Sequence, residues 1–200
     1  MTADLRAEVQ GDRVMSAGTL GRRLARWGLP RSAALDAGLH STIITTAPAA
    51  GQPDQTYLVV HPDPQPPSHS PVVLRHLIGL AETRYVLGAS RHDWHHAQHG
   101  RGADVTWRRG DRRPVSVEYD TGTYGPRARD AKMTAAIRLE HDLVWSAPSL
   151  TRLMRVRREA TALTAAISDA WIRLGGEACP ATVQTRLVRW DAGSAYPVER

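Results

Sequence analysis

Two short runs in the middle of the chain alternate apolar and polar side chains. In VSVEYDT, Val115, Val117 and Tyr119 alternate with Ser116, Glu118 and Asp120, the period-two pattern of a half-buried strand. In ADVTW, Ala103, Val105 and Trp107 fall on one side and Asp104 and Thr106 on the other. The intervening RRGDRR is a hairpin signal. Because facing residues share one side of a sheet, the acceptable registers pair apolar with apolar. A Gly110-Asp111-Arg112 loop satisfies this by pairing Val105 with Val117 and Ala103 with Tyr119. Asp104 then lies opposite Glu118, at a Cβ separation of about 5 Å, with Asp120 on the diagonal.

On the N-terminal side, Asp4 to Arg13 reads as a short helix and Ser16 as the N-cap of TLGRRLARWG. Gly28-Leu29-Pro30 interrupts the pattern, RSAALDAGL resumes it up to Gly38, and STIITT and TYLVV read as strands joined by APAAGQPDQ. Three helices and a hairpin in this order predict a winged helix, whose helix after the turn enters the major groove. Arg31 would start that helix, with Arg22, Arg23 and Arg26 available for phosphates. A small packing or dimerisation unit with surface arginines is the competing reading.

HPDPQPPSHSP, residues 61–71, places five prolines in eleven positions, which neither a helix nor a central strand tolerates. The expected division is a winged-helix domain over 1–62, a linker over 63–71 and a second domain over 72–200. In that second domain LRHLIGLAETRYVLG predicts a helix with Leu74, Leu77, Ile78, Ala81 and Tyr85 on one stripe. After the hairpin, Pro126 and then Arg127 to Leu139 predict a helix carrying Lys132, and DLVWSAP a short buried strand. A long helix runs from Ser149 to about Leu174 and stops at Gly175-Gly176, and TVQTRLVRW could add an edge strand. This is an α/β (α+β) domain with a mixed sheet.

Composition narrows the partners. With 200 residues, 42% of them hydrophobic, there is material for a real core, and a net charge of +6 with pI near 10.2 favours an anionic partner, DNA before membrane. No segment has the apolar length of a transmembrane helix or the form of a signal peptide, so the expected location is cytoplasmic and no membrane partner is expected; a homodimer stays open. Cys179 is alone, which leaves no disulfide framework and no cysteine zinc site. Lys132 is the only lysine among 26 cationic side chains. An ammonium is a compact charge with a tunable pKa, unlike guanidinium.

Like charges directly opposite destabilise a sheet, so Asp104 and Glu118 call for a cation: a divalent metal, Lys132 or an arginine. Two or three carboxylates suit Mg²⁺ or Mn²⁺ better than zinc. The competing reading is a solvent-facing hairpin whose carboxylates are screened by water and neighbouring arginines. Glu82 reads first as a surface residue of its helix and second as a further acidic ligand. His92, His95, His96 and His99 in RHDWHHAQHG have spacings that would share one helical face, and a zinc site there competes with a basic surface loop. The arginines of TRLMRVRREA read as a solvated helix face before a phosphate contact. Nucleotide-binding glycine loops, a nucleophile elbow and a dinucleotide fingerprint are absent.

The order of elements, with AD on one strand, Glu118-Tyr119-Asp120-Thr121-Gly122-Thr123 on the next and a downstream Lys132, resembles the replication-relaxation family of bacterial plasmids and mobile elements. The likeness covers roughly residues 5 to 165. It implies a winged helix followed by a PD-(D/E)xK nuclease-like domain, with Asp104 and Glu118 as metal ligands for Mg²⁺ or Mn²⁺ and Lys132 as the displaced catalytic lysine. Two departures stand out: Ala103 replaces the usual proline, and Asp120 occupies the position where the nuclease motif has its lysine. The resemblance implies a DNA-binding protein of plasmid or mobile-element maintenance with metal-dependent phosphodiester cleavage. The alternative is a non-catalytic regulator or replication accessory on the same fold.

Overall fold

Residues 2–97, 102–175 and 181–191 are described by a computed structural model. The chain is mixed α+β and divides into two compact units, Met1–His92 with Val188–Arg200, and Asp93–Leu187. The proline-rich stretch is therefore not the boundary between them. It lies inside the first unit, because the helix after it packs on the elements before it. Of the stripe read from the sequence, Leu74, Ile78 and Ala81 are buried and Leu77 and Tyr85 partly so; burial also takes in Arg75, Gly79, Leu80, Glu82, Thr83 and Arg84.

The first unit runs α1 (Thr2–Asp12), β1 (Met15–Ser16), α2 (Ala17–Arg26), α3 (Ala33–Asp36), β2 (His40–Thr46), β3 (Gln55–His61) and α4 (Pro71–Leu87). Ser16 caps α2, its hydroxyl accepting from the Thr19 amide at 3.1 Å, which satisfies one of the orphan donors of the first turn. β2 and β3 form an antiparallel hairpin and β1 adds to the other edge of β3. The loop between β2 and β3, residues 47–54, carries no lysine or arginine. α3 is a single turn. Leu5, Val9, Leu20, Leu24, Ala33, Val60 and Ala81 form the apolar centre.

Beneath it is an ionic cluster. Arg84 donates Nε and Nη2 to the two oxygens of Asp12, both at 2.7 Å, and Nη2 also to Glu8 at 2.7 Å. Arg23 pairs with Glu8 at 3.0 Å and with Asp12 at 3.1 Å. Burial pushes the Asp12 carboxyl up while both arginines pull it down. For Glu8, burial is outweighed by Arg84, Arg23 and Arg91, and its carboxyl is held below the ordinary range.

The second unit is a five-stranded sheet in the order β4-β5-β6-β7-β8. β4 (Trp94–His96), β5 (Val105–Arg109) and β6 (Arg112–Tyr119) form an antiparallel meander. β7 (Asp142–Ala147) and β8 (Val183–Leu187) follow as parallel strands, reached through α5 (Pro126–Arg138) and α6 (Leu150–Arg173). The register is the one that alternation requires, Val105 opposite Val117. The turn differs. Arg109 pairs with Arg112 around Gly110-Asp111, and the β6 side carries one more residue than β5 before Trp107 meets Val115. Pro114 falls in that bulge, where a missing N–H costs the ladder nothing.

β6 is also more enclosed than its alternation implies. Every residue from Val115 to Asp120 is buried, because β6 is the middle strand with a parallel neighbour, and such strands are covered on both faces. In the parallel register Glu118 pairs with Trp145 and Ser116 with Leu143. Leu143, Trp145 and Ala147 belong to the cluster with Met133 and Ala136 of α5 and Leu153, Val156 and Ala160 of α6. The face bearing Glu118 is thus the one the helices cover.

Candidate active site

α5 begins with Pro126 at its first turn, where the fixed φ is already helical and the missing N–H would be unpaired anyway. Its buried residues are Arg129, Met133, Ala136 and Ile137, a spacing of three and four that turns one face to the sheet. Lys132 precedes Met133 on the margin of that face. Its Nζ donates to Glu118 Oε2 at 2.5 Å, to Asp104 Oδ1 at 3.1 Å and to the Gly102 carbonyl at 3.4 Å.

Asp104, at the mouth of β5, is held by further donors. The Tyr119 amide reaches its Oδ2 at 3.0 Å and the Tyr124 hydroxyl its Oδ1 at 3.4 Å. Glu118 is 1% exposed. Burial pushes its carboxyl up, to about 9, and the Asp104 charge adds to the rise while Lys132 opposes it. For Lys132, burial would lower the ammonium pKa, but Glu118 and Asp104 outweigh burial and raise it. Burial and the Asp104 charge thus favour the protonated form of Glu118, and Lys132 favours its carboxylate. Two acids in unlike environments, beside a cation, are suited to acid–base work on an anionic substrate.

Asp120 is drawn elsewhere. β6 ends at Tyr119, and the chain turns through Gly122, whose φ of 103° favours glycine. The Asp120 carboxylate accepts the Gly122 amide at 2.9 Å and a two-pronged contact from Arg152, Nε at 2.7 Å and Nη2 at 3.0 Å. It is thus neutralised by Arg152 and contributes to holding the 120–125 turn, not to the Asp104–Glu118–Lys132 cluster.

Two hard carboxylate oxygens that converge on one cation fit Mg²⁺ or Mn²⁺, since Mg²⁺ is commonly held by one or two carboxylates, with water and substrate phosphate completing its shell. Among the described residues, no set of three or more histidine, cysteine or acidic side chains is arranged to hold a metal. The histidine run does not form the helix its spacing permitted. Arg91–Asp93 is a single 3₁₀ turn and Trp94–His96 is β4, so His95 and His96 point to opposite faces, and His99 lies outside the described residues. Cys179 lies outside them as well.

The four arginines expected at DNA divide. Arg26 and Arg31 are exposed. Arg23 is not available for phosphates: it is 4% exposed and committed to Glu8 and Asp12. Arg22 is half-buried and pairs with Glu82 at 2.6 Å. Glu82 itself is neither surface nor ligand, being 4% exposed and bonded to Thr19 as well as Arg22. Sequence reasoning missed Tyr124, Arg129 and Arg152, whose roles depend on how α5 and α6 meet the turn after β6. The alternation that exposed the carboxylates says nothing about a turn.

Fold and site together define a class: a two-unit α+β chain whose second unit carries a carboxylate–lysine centre at the mouth of a hairpin. No protein-family model matches the chain, and no curated protein or solved structure matches it either. Among the described residues no helix is long and apolar enough to cross a membrane.

Proposed function

We propose that the chain is a DNA-binding protein whose second unit hydrolyses phosphodiester bonds at Asp104, Glu118 and Lys132. The observation that carries this is the convergence of the single lysine of the sequence on two carboxylates, Asp104 just before β5 and Glu118 on β6, at 3.1 Å and 2.5 Å. A bound Mg²⁺ or Mn²⁺, with Asp104 and Glu118 as its protein ligands, would polarise the phosphate and lower the pKa of a bound water. Lys132 supplies positive charge where negative charge develops on the phosphate oxygens. The Tyr119 amide and the Tyr124 hydroxyl orient Asp104. Glu118 lies between β6 and α5, out of water, which strengthens each of these interactions.

The first unit, with its order of helices and hairpin, is proposed as a winged helix. Of the four arginines expected at DNA, Arg26 and Arg31 are the exposed ones; Arg23 is excluded and the β2–β3 loop adds no lysine or arginine. In the second unit Arg155, Arg157 and Arg158 of α6 are exposed, so phosphate contacts are assigned there too. The resemblance to the replication-relaxation family suggests a setting in plasmid or mobile-element maintenance.

One observation favours a non-catalytic reading. Lys132 already provides both carboxylates with a counter-ion, as a protein that had lost its metal would require. A plasmid-nicking assay with Mg²⁺ or Mn²⁺ decides between them. Cleavage is expected from the wild type and a loss of at least about a hundredfold from Asp104→Ala, Glu118→Ala and Lys132→Ala. Equal activity in all four proteins would place any cleavage elsewhere, and none in the wild type would leave the DNA-binding regulator.

A further inference from the structure

The 120–125 turn is fastened more firmly than a surface turn needs to be. The Tyr124 carbonyl accepts from Arg129 Nη1 at 2.7 Å and from Arg152 Nη2 at 2.5 Å. Each arginine is itself fixed by a two-pronged carboxylate, Arg129 by Glu159 at 2.7 Å on both prongs and Arg152 by Asp120. The backbone of Tyr124 is therefore pinned from α5 and α6 at once, and its side chain is delivered to one place. The ring meets Trp145 edge-on at 5.9 Å between centroids. Lys132 Nζ lies 5.1 Å from the ring centroid, within cation–π range. The hydroxyl is turned to Asp104 Oδ1.

We infer that Tyr124 is a positioning residue that holds the Lys132 ammonium between Asp104 and Glu118, its ring acting on the lysine and its hydroxyl on Asp104. The physical need is plain. A lysine side chain has four rotatable bonds and loses much freedom when it is fixed. Two carboxylates attract the ammonium without fixing its direction. A ring on a third side restricts it, and the Arg129 and Arg152 clamps keep the ring there. Asp120, drawn away from the Asp104–Glu118–Lys132 cluster, acquires a role here: through Arg152 it secures the residue that positions Lys132.

This inference shares its residues with the hydrolysis reading, but its main test does not depend on cleavage. Because Lys132 is the only lysine, selective isotope labelling of lysine gives one side-chain signal in the full-length protein. In the wild type that signal should carry a ring-current shift and nuclear Overhauser contacts between the Lys132 ε-protons and the Tyr124 ring. Tyr124→Phe should retain the shift, whereas Tyr124→Leu should move the signal to the position of a solvated lysine. A wild-type protein without those contacts, or a Tyr124→Leu protein whose lysine signal is unchanged, overturns the inference. The wild-type arm decides even if Tyr124→Leu does not fold. If the wild type cleaves DNA, Tyr124→Leu should lower the single-turnover rate at saturating DNA on the order of tenfold, with KM within about twofold. Tyr124→Phe, which keeps the ring on Lys132 but removes the hydroxyl from Asp104, should fall between the wild type and Tyr124→Leu. A Tyr124→Leu enzyme altered only in KM would contradict the positioning role. Absence of cleavage in the wild type with the lysine contacts present would defeat the hydrolysis reading and leave this one standing.

Discussion

Arg84 shows how far a single side chain can depart from what its sequence context suggests. On α4 it reads as a polar position near a helix end, yet it is 1% exposed and bonds Asp12, Glu8 and the Ala89 carbonyl. A guanidinium provides several donors in a fixed plane, and three of its partners are spaced to use them. Removing it would leave the Asp12 carboxylate, fully enclosed, with Arg23 alone. Arg84→Met is expected to destabilise the protein by about 3–5 kcal/mol, the usual cost of stranding one member of a buried ion pair. Replacing both members, Arg84→Met with Asp12→Leu, should recover much of that stability. Chemical denaturation of the three proteins tests it, and equal destabilisation in the single and double variants would remove the argument. Arg23 and Glu82 misled sequence reasoning for the same reason: burial of a paired charge depends on where the opposite charge arrives from, and a one-dimensional pattern does not hold that information. Asp104, Glu118 and Lys132 were legible because strand alternation fixed two of them and the scarcity of lysine marked the third.

At the scale of elements, the strands were the most readable. Hydrophobic alternation requires Val105 opposite Val117, and the bulge at Pro114 preserves that pairing while changing the turn. Alternation did not reveal that β6 is covered on both faces, because Ser116, Glu118 and Asp120 are polar residues in a buried layer, satisfied by His141, Lys132 and Arg152. The histidine segment failed for another reason: a helical spacing of histidines is compatible with a strand when Trp94 supplies an inward anchor, and Trp94 is buried opposite Trp107. Between α5 and α6, the Arg129–Glu159 pair carries a pH dependence. The Arg129 hydrogen bonds hold the Glu159 carboxyl below its ordinary value of 4.5. A depressed carboxyl pKa means that the folded state binds its proton less readily than the unfolded chain, so the contribution is present above the unfolded value and fades as pH falls through the folded one. Wild-type stability should therefore decline on acidification below about pH 5 more steeply than that of Glu159→Gln. Urea unfolding at neutral and acidic pH measures the difference, and parallel curves would show that the pair adds nothing.

At the scale of the whole chain, the proline-rich stretch was read as a boundary because prolines end regular structure, but ending a strand is not the same as ending a unit. The two units divide after His92, and what joins α4 to the first is an apolar stripe that needs a partner. The charge is also distributed differently from the expectation that placed DNA contacts first on the N-terminal arginines and only second on the arginines of α6. Asp93–Leu187 holds fifteen lysine and arginine side chains against eleven acidic ones, and the remainder holds eleven against nine. Much of the first unit's cationic charge is committed internally, on Arg23 and Arg84. Under the proposed DNA binding, every phosphate that a substitution leaves without its arginine should reduce the slope of log affinity against log salt by about one. Arg155→Ala with Arg158→Ala is expected to flatten that slope by about two, and Arg26→Ala with Arg31→Ala by a similar amount. Should only the α6 pair matter, the winged-helix role of the first unit would be refuted and DNA would be held by the unit that carries Lys132. Should only Arg26 and Arg31 matter, the α6 arginines are a solvated face, and the unit bearing the carboxylate–lysine centre would have to be presented with its substrate by the other.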